Sequence, residues 1–121
     1  MNVVANVLVA LVAAFHGYVL VLEMFLWQGP RGRALHGLDP AGARTTAPLA
    51  ANQGLYNGFL AAGLVWGLIA GNPVGFQAKV FFLCCVILAG AYGAATTASR
   101  TILYAQFAPA AVALAAVLLA A

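Results

Sequence analysis

Two residues with acid–base chemistry, His16 and Glu23, lie seven positions apart in an apolar stretch near the start of the chain. A helix places residues at this spacing two turns apart on one face. An ionised side chain inside a membrane helix costs at least about 2.5 kcal/mol on insertion scales, and such residues usually serve ligands or protons. We therefore predict that Glu23 and His16 are acid–base or ligand-binding residues. The alternative is that both only hydrogen-bond neighbouring helices.

A second group of polar side chains begins a later apolar segment, NQGLYNGFLAAGL, over residues 52–64. Its polar members are Asn52, Gln53, Tyr56 and Asn57. On a helix these four share an arc of roughly 140°. Amide and phenol groups bind ligands through hydrogen bonds, and they also join helices to one another in membranes. We predict that this arc faces Glu23 and forms one wall of a ligand-binding cavity, with helix–helix bonding as the alternative.

Two polar residues of the last apolar segments are expected on the same side of the membrane, Tyr92 and Gln106. Pro109 lacks the N–H that would bond the carbonyl of Ala105, so the helix should kink there and widen the mouth of the cavity. The prediction is a cavity that opens to the cytoplasmic side, with Tyr92 and Gln106 in its lining and His16 at its floor.

The elements that must position these residues are helices in a membrane. Hydrophobic residues make up 65% of the 121-residue chain and charged residues only 6%, whereas soluble domains carry about 25% charged residues. A membrane span needs about 20 apolar residues, and four segments qualify, at about 3–27, 49–70, 77–97 and 101–120. The sequence predicts an all-α fold, namely one integral membrane domain over 1–121 built as a four-transmembrane-helix antiparallel bundle, with residues 28–48 as a cytoplasmic loop.

The basic residues predict the orientation of this bundle. Four arginines, Arg31, Arg33, Arg44 and Arg100, lie on one predicted side, and Lys79 is alone on the other. Because Lys and Arg are enriched in cytoplasmic loops, both termini should be on the non-cytoplasmic side. The first segment has no basic residues before it and no small-residue cleavage site, so it is expected to be a retained helix. The predicted location is the bacterial inner membrane, with several spans.

Glycines on the second predicted helix form two faces. Gly54 and Gly58 share one face, and Gly63, Gly67 and Gly71 share another. Small residues at four-residue spacing let helices approach closely. We expect neighbouring helices on both sides, and small-residue surfaces of this kind also favour a homo-oligomer.

Several classes of function are disfavoured by the residues present. Cys84 and Cys85 are adjacent, so a helix points them roughly 100° apart, and no ligand spacing for a metal accompanies them. The basic residues form no stripe with aromatic residues, which argues against nucleic-acid binding. No serine-hydrolase order or phosphate-binding loop occurs. We predict no metal and no cofactor.

Four stretches of the chain resemble a known family: LEMFLW (22–27), NQGLYNGFLAAGL (52–64), AGAYGAAT (89–96) and QFAPA (106–110). In this order and spacing they are similar to the bacterial membrane family catalogued as domain of unknown function 1304. The resemblance implies four membrane helices and supplies no activity. Relatives carry an acidic residue immediately before the histidine, where this chain has Phe15. A mechanism that needs two acids is therefore doubtful for this member.

Three hypotheses of function stay open at this stage, with membrane lipids as partners in each. The protein binds or transports a small molecule with proton linkage at Glu23. Alternatively, it is an intramembrane enzyme that acts on a lipophilic substrate. Glu23 or His16 would then serve as the acid or base in an isomerisation or an epoxide opening. In the third hypothesis it is an accessory subunit of a membrane complex, and its polar residues are structural.

Overall fold

The computed structural model describes residues 2–97 and 100–121, and these residues are almost entirely helical. Its helices are α1 (Val3–Phe25), α2 (Pro30–His36), α3 (Pro40–Ile69), α4 (Val74–Thr97), α5 (Arg100–Ile102) and α6 (Ala108–Ala120), with a π-helical turn at Leu103–Phe107 between the last two. No strand occurs in the described part of the chain. The predicted all-α class is confirmed.

Three helical segments are long and apolar enough to cross a membrane: Val3–Phe25, Val74–Thr97 and Arg100–Ala120. α3 is longer than any of them, at 30 residues, but Asn52, Gln53 and Asn57 dilute its apolar stretch. Length and composition therefore support three spans directly. The fourth span, and the sides on which the termini lie, stay predictions.

The loop predicted over 28–48 is corrected, because most of this segment is helical. Pro30 and Pro40 are the first residues of α2 and α3, where the fixed φ of proline suits a helix and its missing N–H costs nothing. Gly37 ends α2 with φ 61°, a left-handed conformation that favours glycine. The side chain of Asp39 then accepts the N–H of Gly42 at 2.7 Å and caps α3. These prolines and this glycine start and stop helices rather than form a loop.

The chain divides into two compact units. We call Phe15–Phe59 the glutamate unit, and residues 2–14 with 60–97 and 100–121 the lysine unit, after Glu23 and Lys79. The core of the lysine unit takes buried residues from four helical segments, among them Val9, Leu64, Leu83 and Ala113. In this unit α1, α3, α4 and α6 therefore pack around one core.

The irregularity expected at Ala105 is present as the π-helical turn Leu103–Phe107. Pro109 lies just after it, and the N–H of Ala108 bonds the carbonyl of Leu103, which is the wider hydrogen-bond spacing of a π-helix. A Cβ on Gly90 would lie 2.9 Å from the backbone nitrogen of Phe107. The π-helical turn thus packs directly against the backbone of α4 at this glycine.

Both glycine faces of α3 make the close approaches that their spacing predicts. In the glutamate unit, a Cβ on Gly54 would lie 2.8 Å from Met24 Cγ of α1. In the lysine unit, a Cβ on Gly67 would lie 2.7 Å from Lys79 Cγ of α4. Gly71 has no neighbour of this kind within 4 Å, so the second face ends before it.

Candidate functional site

The centre of the candidate site is a hydrogen bond between α1 and α3 in the glutamate unit. Asn57 Nδ2 donates to Glu23 Oε1 at 2.9 Å. The same nitrogen donates to the backbone carbonyl of Gln53 at 3.1 Å. Asn57 is 9% exposed, and Glu23 is partly buried. The prediction that Glu23 contacts the helix of residues 52–64 is confirmed, with Asn57 as the partner.

The close approach of the two helices follows from Gly54. A Cβ at this position would lie 2.8 Å from Met24 Cγ and 3.0 Å from Glu23 Cβ, which is closer than side chains normally pack. Gly58, one turn further along α3, likewise faces Leu20 of α1. Asn57 lies between these glycines in sequence, and its amide reaches the Glu23 carboxylate because the backbones are so close.

The two Nδ2 hydrogens of Asn57 are both used, and the remaining polar atoms of the pair are acceptors. Among the described residues, none donates a hydrogen bond to Glu23 Oε2 or to Asn57 Oδ1. No fully buried side-chain nitrogen or oxygen lacks a partner in this part of the chain, so neither oxygen is fully buried. The pair therefore offers two hydrogen-bond acceptors, one of them on a carboxyl group.

The other three residues of the predicted wall do not face Glu23. The side chains of Asn52 and Gln53 are exposed, and Tyr56 is 57% exposed with its ring 6.0 Å from that of Phe59. Only the backbone carbonyl of Gln53 takes part, through Asn57. The expected contact with Glu23 is corrected for these three residues, because the glycines lie on the face of α3 that packs against α1 and the three side chains turn outward. Their part in ligand binding stays a prediction.

His16 lies two turns before Glu23 on α1 and is 1% exposed. Its ring packs edge-on against Phe15, with the ring centroids 5.4 Å apart. The side chain of His16 is thus buried, and its role at the floor of a cavity stays a prediction. Tyr92, which is 74% exposed, and Gln106, which lies in the π-helical turn, belong to the lysine unit. Their predicted contribution to ligand binding also stays a prediction.

His36, an exposed residue of α2, contacts a cluster around Trp27. The two rings lie 4.4 Å apart, and Trp27 Nε1 donates to Thr46 Oγ1 at 2.9 Å. α2 reaches this position because Gly32 packs against the backbone carbonyls of Leu26 and Trp27. The signals for α2 in the sequence were Pro30 and Gly37.

A second polar cluster, in the lysine unit, was not predicted. Lys79 Nζ donates to Asn6 Oδ1 at 3.1 Å, beside a cleft of about 230 Å³ that Asn2 and Asn72 also border. These residues come from two distant segments of the chain, 2–6 and 72–79, and no spacing rule connects one segment with the other.

The comparison with known proteins identifies the family. Residues 10–118 match the family described as Protein of unknown function (DUF1304). No curated protein and no solved structure matches the chain. The match includes Glu23, Asn57 and all four stretches on which the resemblance rested. The chain therefore belongs to the DUF1304 family.

Proposed function

We propose that this protein is an integral membrane protein that binds, and exchanges across the membrane, a small molecule with a cationic or hydrogen-bond-donating group at Glu23 and Asn57. One observation supports this most directly: the 2.9 Å bond that turns the amide nitrogen of Asn57 toward Glu23. Together with the bond to the Gln53 carbonyl, it uses both Nδ2 hydrogens of Asn57. The acceptors Glu23 Oε2 and Asn57 Oδ1 remain for a ligand. A ligand that fits two acceptors must bring donors.

Proton linkage follows from the carboxyl group. A cationic ligand binds the ionised form of Glu23, whereas a proton on Oε2 occupies the same oxygen and removes the charge. Ligand and proton therefore compete for Glu23, and binding of the ligand releases a proton. Affinity for a cation is expected to rise with pH across the range in which Glu23 ionises.

The first test is calorimetric titration of the purified protein with octylammonium, a lipophilic cation that carries three N–H donors, in two buffers of different ionisation enthalpy. The wild-type protein is expected to bind the probe and release about one proton. The Glu23→Gln variant should bind at least tenfold more weakly and release none. Its new amide still presents an oxygen to Asn57 Nδ2, so the contact between α1 and α3 is retained.

The matched control is Asp39→Asn, which makes the same acid-to-amide change at the cap of α3. It should leave binding of the probe unchanged. Equal binding by wild type and Glu23→Gln would place the binding site elsewhere. Loss of folding or of an oligomer in Glu23→Gln would instead support the structural role of the polar residues.

A second candidate function, acid–base catalysis on a lipophilic substrate, is favoured by one observation. Trp27 lies four residues after Glu23 and its ring is 4.4 Å from that of His36, so a carboxyl group and an imidazole lie in the same region of the glutamate unit. Such a pair can give and take protons in an isomerisation or an epoxide opening. Lipid extracts of cells with the wild-type gene and with Glu23→Gln should then differ in one lipophilic compound, and His36→Gln should change the same compound.

We also propose four spans, with both termini on the non-cytoplasmic side of a bacterial inner membrane. The support is the excess of arginine in 28–48 over the opposite side. The test places single cysteines at Leu38 and Gly71 in protein from which Cys84 and Cys85 have been removed. An impermeant maleimide should label Gly71→Cys in intact cells and Leu38→Cys only after permeabilisation. The reverse pattern would invert the orientation.

A further inference from the structure

The cleft of the lysine unit has no role in the proposed function at Glu23. Its volume is about 230 Å³, which is the volume of roughly seven or eight water molecules in the liquid. Its polar lining comprises Asn2, Asn6, Asn72 and Lys79, and glycine, alanine and a few larger apolar residues form the rest. It is large enough for a compact polar group and has apolar walls beside it.

Lys79 is held at the cleft by two features of the fold. Its alkyl chain lies against Gly67 of α3, where a Cβ would come within 2.7 Å of Lys79 Cγ. Its Nζ donates to Asn6 Oδ1 of α1 at 3.1 Å. An ammonium group has three hydrogens and no acceptor, so two hydrogens of Lys79 remain after this bond.

The side-chain oxygens of the three asparagines are all used within the protein. Asn2 Oδ1 accepts the N–H of Ala5 at 3.0 Å, and Asn72 Oδ1 accepts the N–H of Phe76 at 3.2 Å. Asn6 Oδ1 accepts from Lys79. Backbone N–H groups and ammonium groups can only donate, so the orientation of each amide is determined by its partner.

The polar side-chain groups left over at the cleft are therefore donors. The Nδ2 groups of Asn2, Asn6 and Asn72 have no hydrogen-bond partner among the described residues. Within that part of the chain, no Asp or Glu carboxylate lies within 4.0 Å of Lys79 Nζ. The side chains at the cleft thus offer three amide nitrogens and one ammonium group as hydrogen-bond donors.

The helix dipoles do not set the sign of the potential here. α1 and α4 begin at the cleft, whereas α3 and α6 end there. The positive ends of two helices are thus offset by the negative ends of two others. The charge of Lys79 decides that the cleft attracts anions.

We infer that this cleft binds an oxyanion, specifically a phosphate-type group with several acceptor oxygens. Such a group matches the ammonium and the three amide donors, and charge-assisted bonds of this kind are the stronger class of hydrogen bond. Two sources share this chemistry, the headgroup of an anionic phospholipid and a soluble phosphate. Because the site differs from Glu23 in charge and in chemistry, the inference does not depend on the proposed function.

The variants Asn72→Asp and Asn6→Asp test it directly. Aspartate keeps the Oδ1 acceptor that bonds Phe76 or Lys79, but it replaces the donor Nδ2 with a second, negatively charged oxygen. Both variants should therefore fold, which circular dichroism verifies. Asn52→Asp makes the same change on the exposed face of α3 in the glutamate unit and is the matched control.

Binding is measured with dioleoylphosphatidylglycerol and dioleoylglycerol by native mass spectrometry, and with inorganic phosphate by calorimetry. Wild type and Asn52→Asp should bind the phospholipid in preference to dioleoylglycerol, or bind phosphate itself. Asn72→Asp and Asn6→Asp should bind at least tenfold more weakly. Phospholipid binding that phosphate does not displace supports the headgroup, and direct phosphate binding supports the soluble source. The inference is overturned if the wild type binds neither probe, or if both cleft variants bind as the wild type does.

Discussion

The glutamate unit and the lysine unit each join one charged side chain to one asparagine, but they use the amide in opposite ways. Glu23 accepts from Asn57 Nδ2 at 2.9 Å, whereas Lys79 donates to Asn6 Oδ1 at 3.1 Å. A carboxylate can only accept and an ammonium can only donate. The charged partner therefore determines which end of the amide is left for a ligand: acceptors in the glutamate unit and donors in the lysine unit.

The largest effect on stability is expected from Asn57→Leu. This change removes the donor to Glu23 and leaves a partly buried carboxylate without its bond, which should cost about 1.5–3 kcal/mol in the free energy of unfolding. Glu23→Gln keeps an acceptor for Asn57 and should cost less than half as much. Denaturant unfolding of both variants, purified in detergent, measures the difference. Equal destabilisation by Asn57→Leu and Glu23→Gln would contradict the assignment of Asn57 as the donor and Glu23 as the acceptor of this bond.

Gly54→Ala tests whether the glycine face brings α1 and α3 together. The added Cβ would lie 2.8 Å from Met24 Cγ, and overpacking of this kind typically costs about 1–3 kcal/mol. The control is Gly17→Ala on α1, where no atom lies within 4 Å of the added carbon. The control should be neutral, or more stable by up to about 1 kcal/mol through helix propensity. Similar thermal stability of the two variants would contradict the close approach.

A smaller effect is expected from Trp27→Phe. The change removes the Nε1–H that Thr46 Oγ1 accepts at 2.9 Å and should cost about 0.5–1.5 kcal/mol. Trp66→Phe is the control, since Trp66 is 51% exposed and no described residue accepts a hydrogen bond from it. The same unfolding measurement should show almost no change for the control. If Trp27→Phe and Trp66→Phe lose equal free energy of unfolding, the hydrogen bond of Trp27 does not stabilise the glutamate unit.

The smallest effect is expected from Lys79→Gln. The glutamine amide can still donate to Asn6 Oδ1, so the free energy of unfolding should change by less than about 0.5 kcal/mol. The ammonium charge is lost, however, and phosphate binding at the cleft should weaken although stability does not. A large loss of stability would show that Lys79 supports the fold, in contrast with the ligand role inferred for it.

The sequence predicted the contact at Glu23 but not the side of α3 that makes it. A carboxylate in an apolar segment needs a hydrogen-bond partner, and the stretch 52–64 held the nearest candidates. Its polar arc of roughly 140° is wider than one helix contact. The packing of Gly54 and Gly58 against α1 selected Asn57 and left Asn52 and Tyr56 exposed.

Residues 28–48 show that glycine and proline occur both in loops and at the ends of helices. Glycine and proline are common in loops, but their positions here, at the starts of α2 and α3 and at the end of α2, are those of helix boundaries. The contact between the tilted rings of His36 and Trp27 depends on α2 and so could not be predicted without it.

By itself, the sequence determined the helical class, the apolar segments and the family, because composition and local spacing carry that information along the chain. It also determined that Glu23 must bond a neighbouring helix, since an isolated carboxylate is too costly in apolar surroundings. Only the tertiary structure decided which asparagine meets Glu23, and only it brought Asn2, Asn6, Asn72 and Lys79 to one cleft. The physical reason is that packing depends on which glycines let two backbones approach, and that approach sets which polar atoms are used and which remain for a ligand.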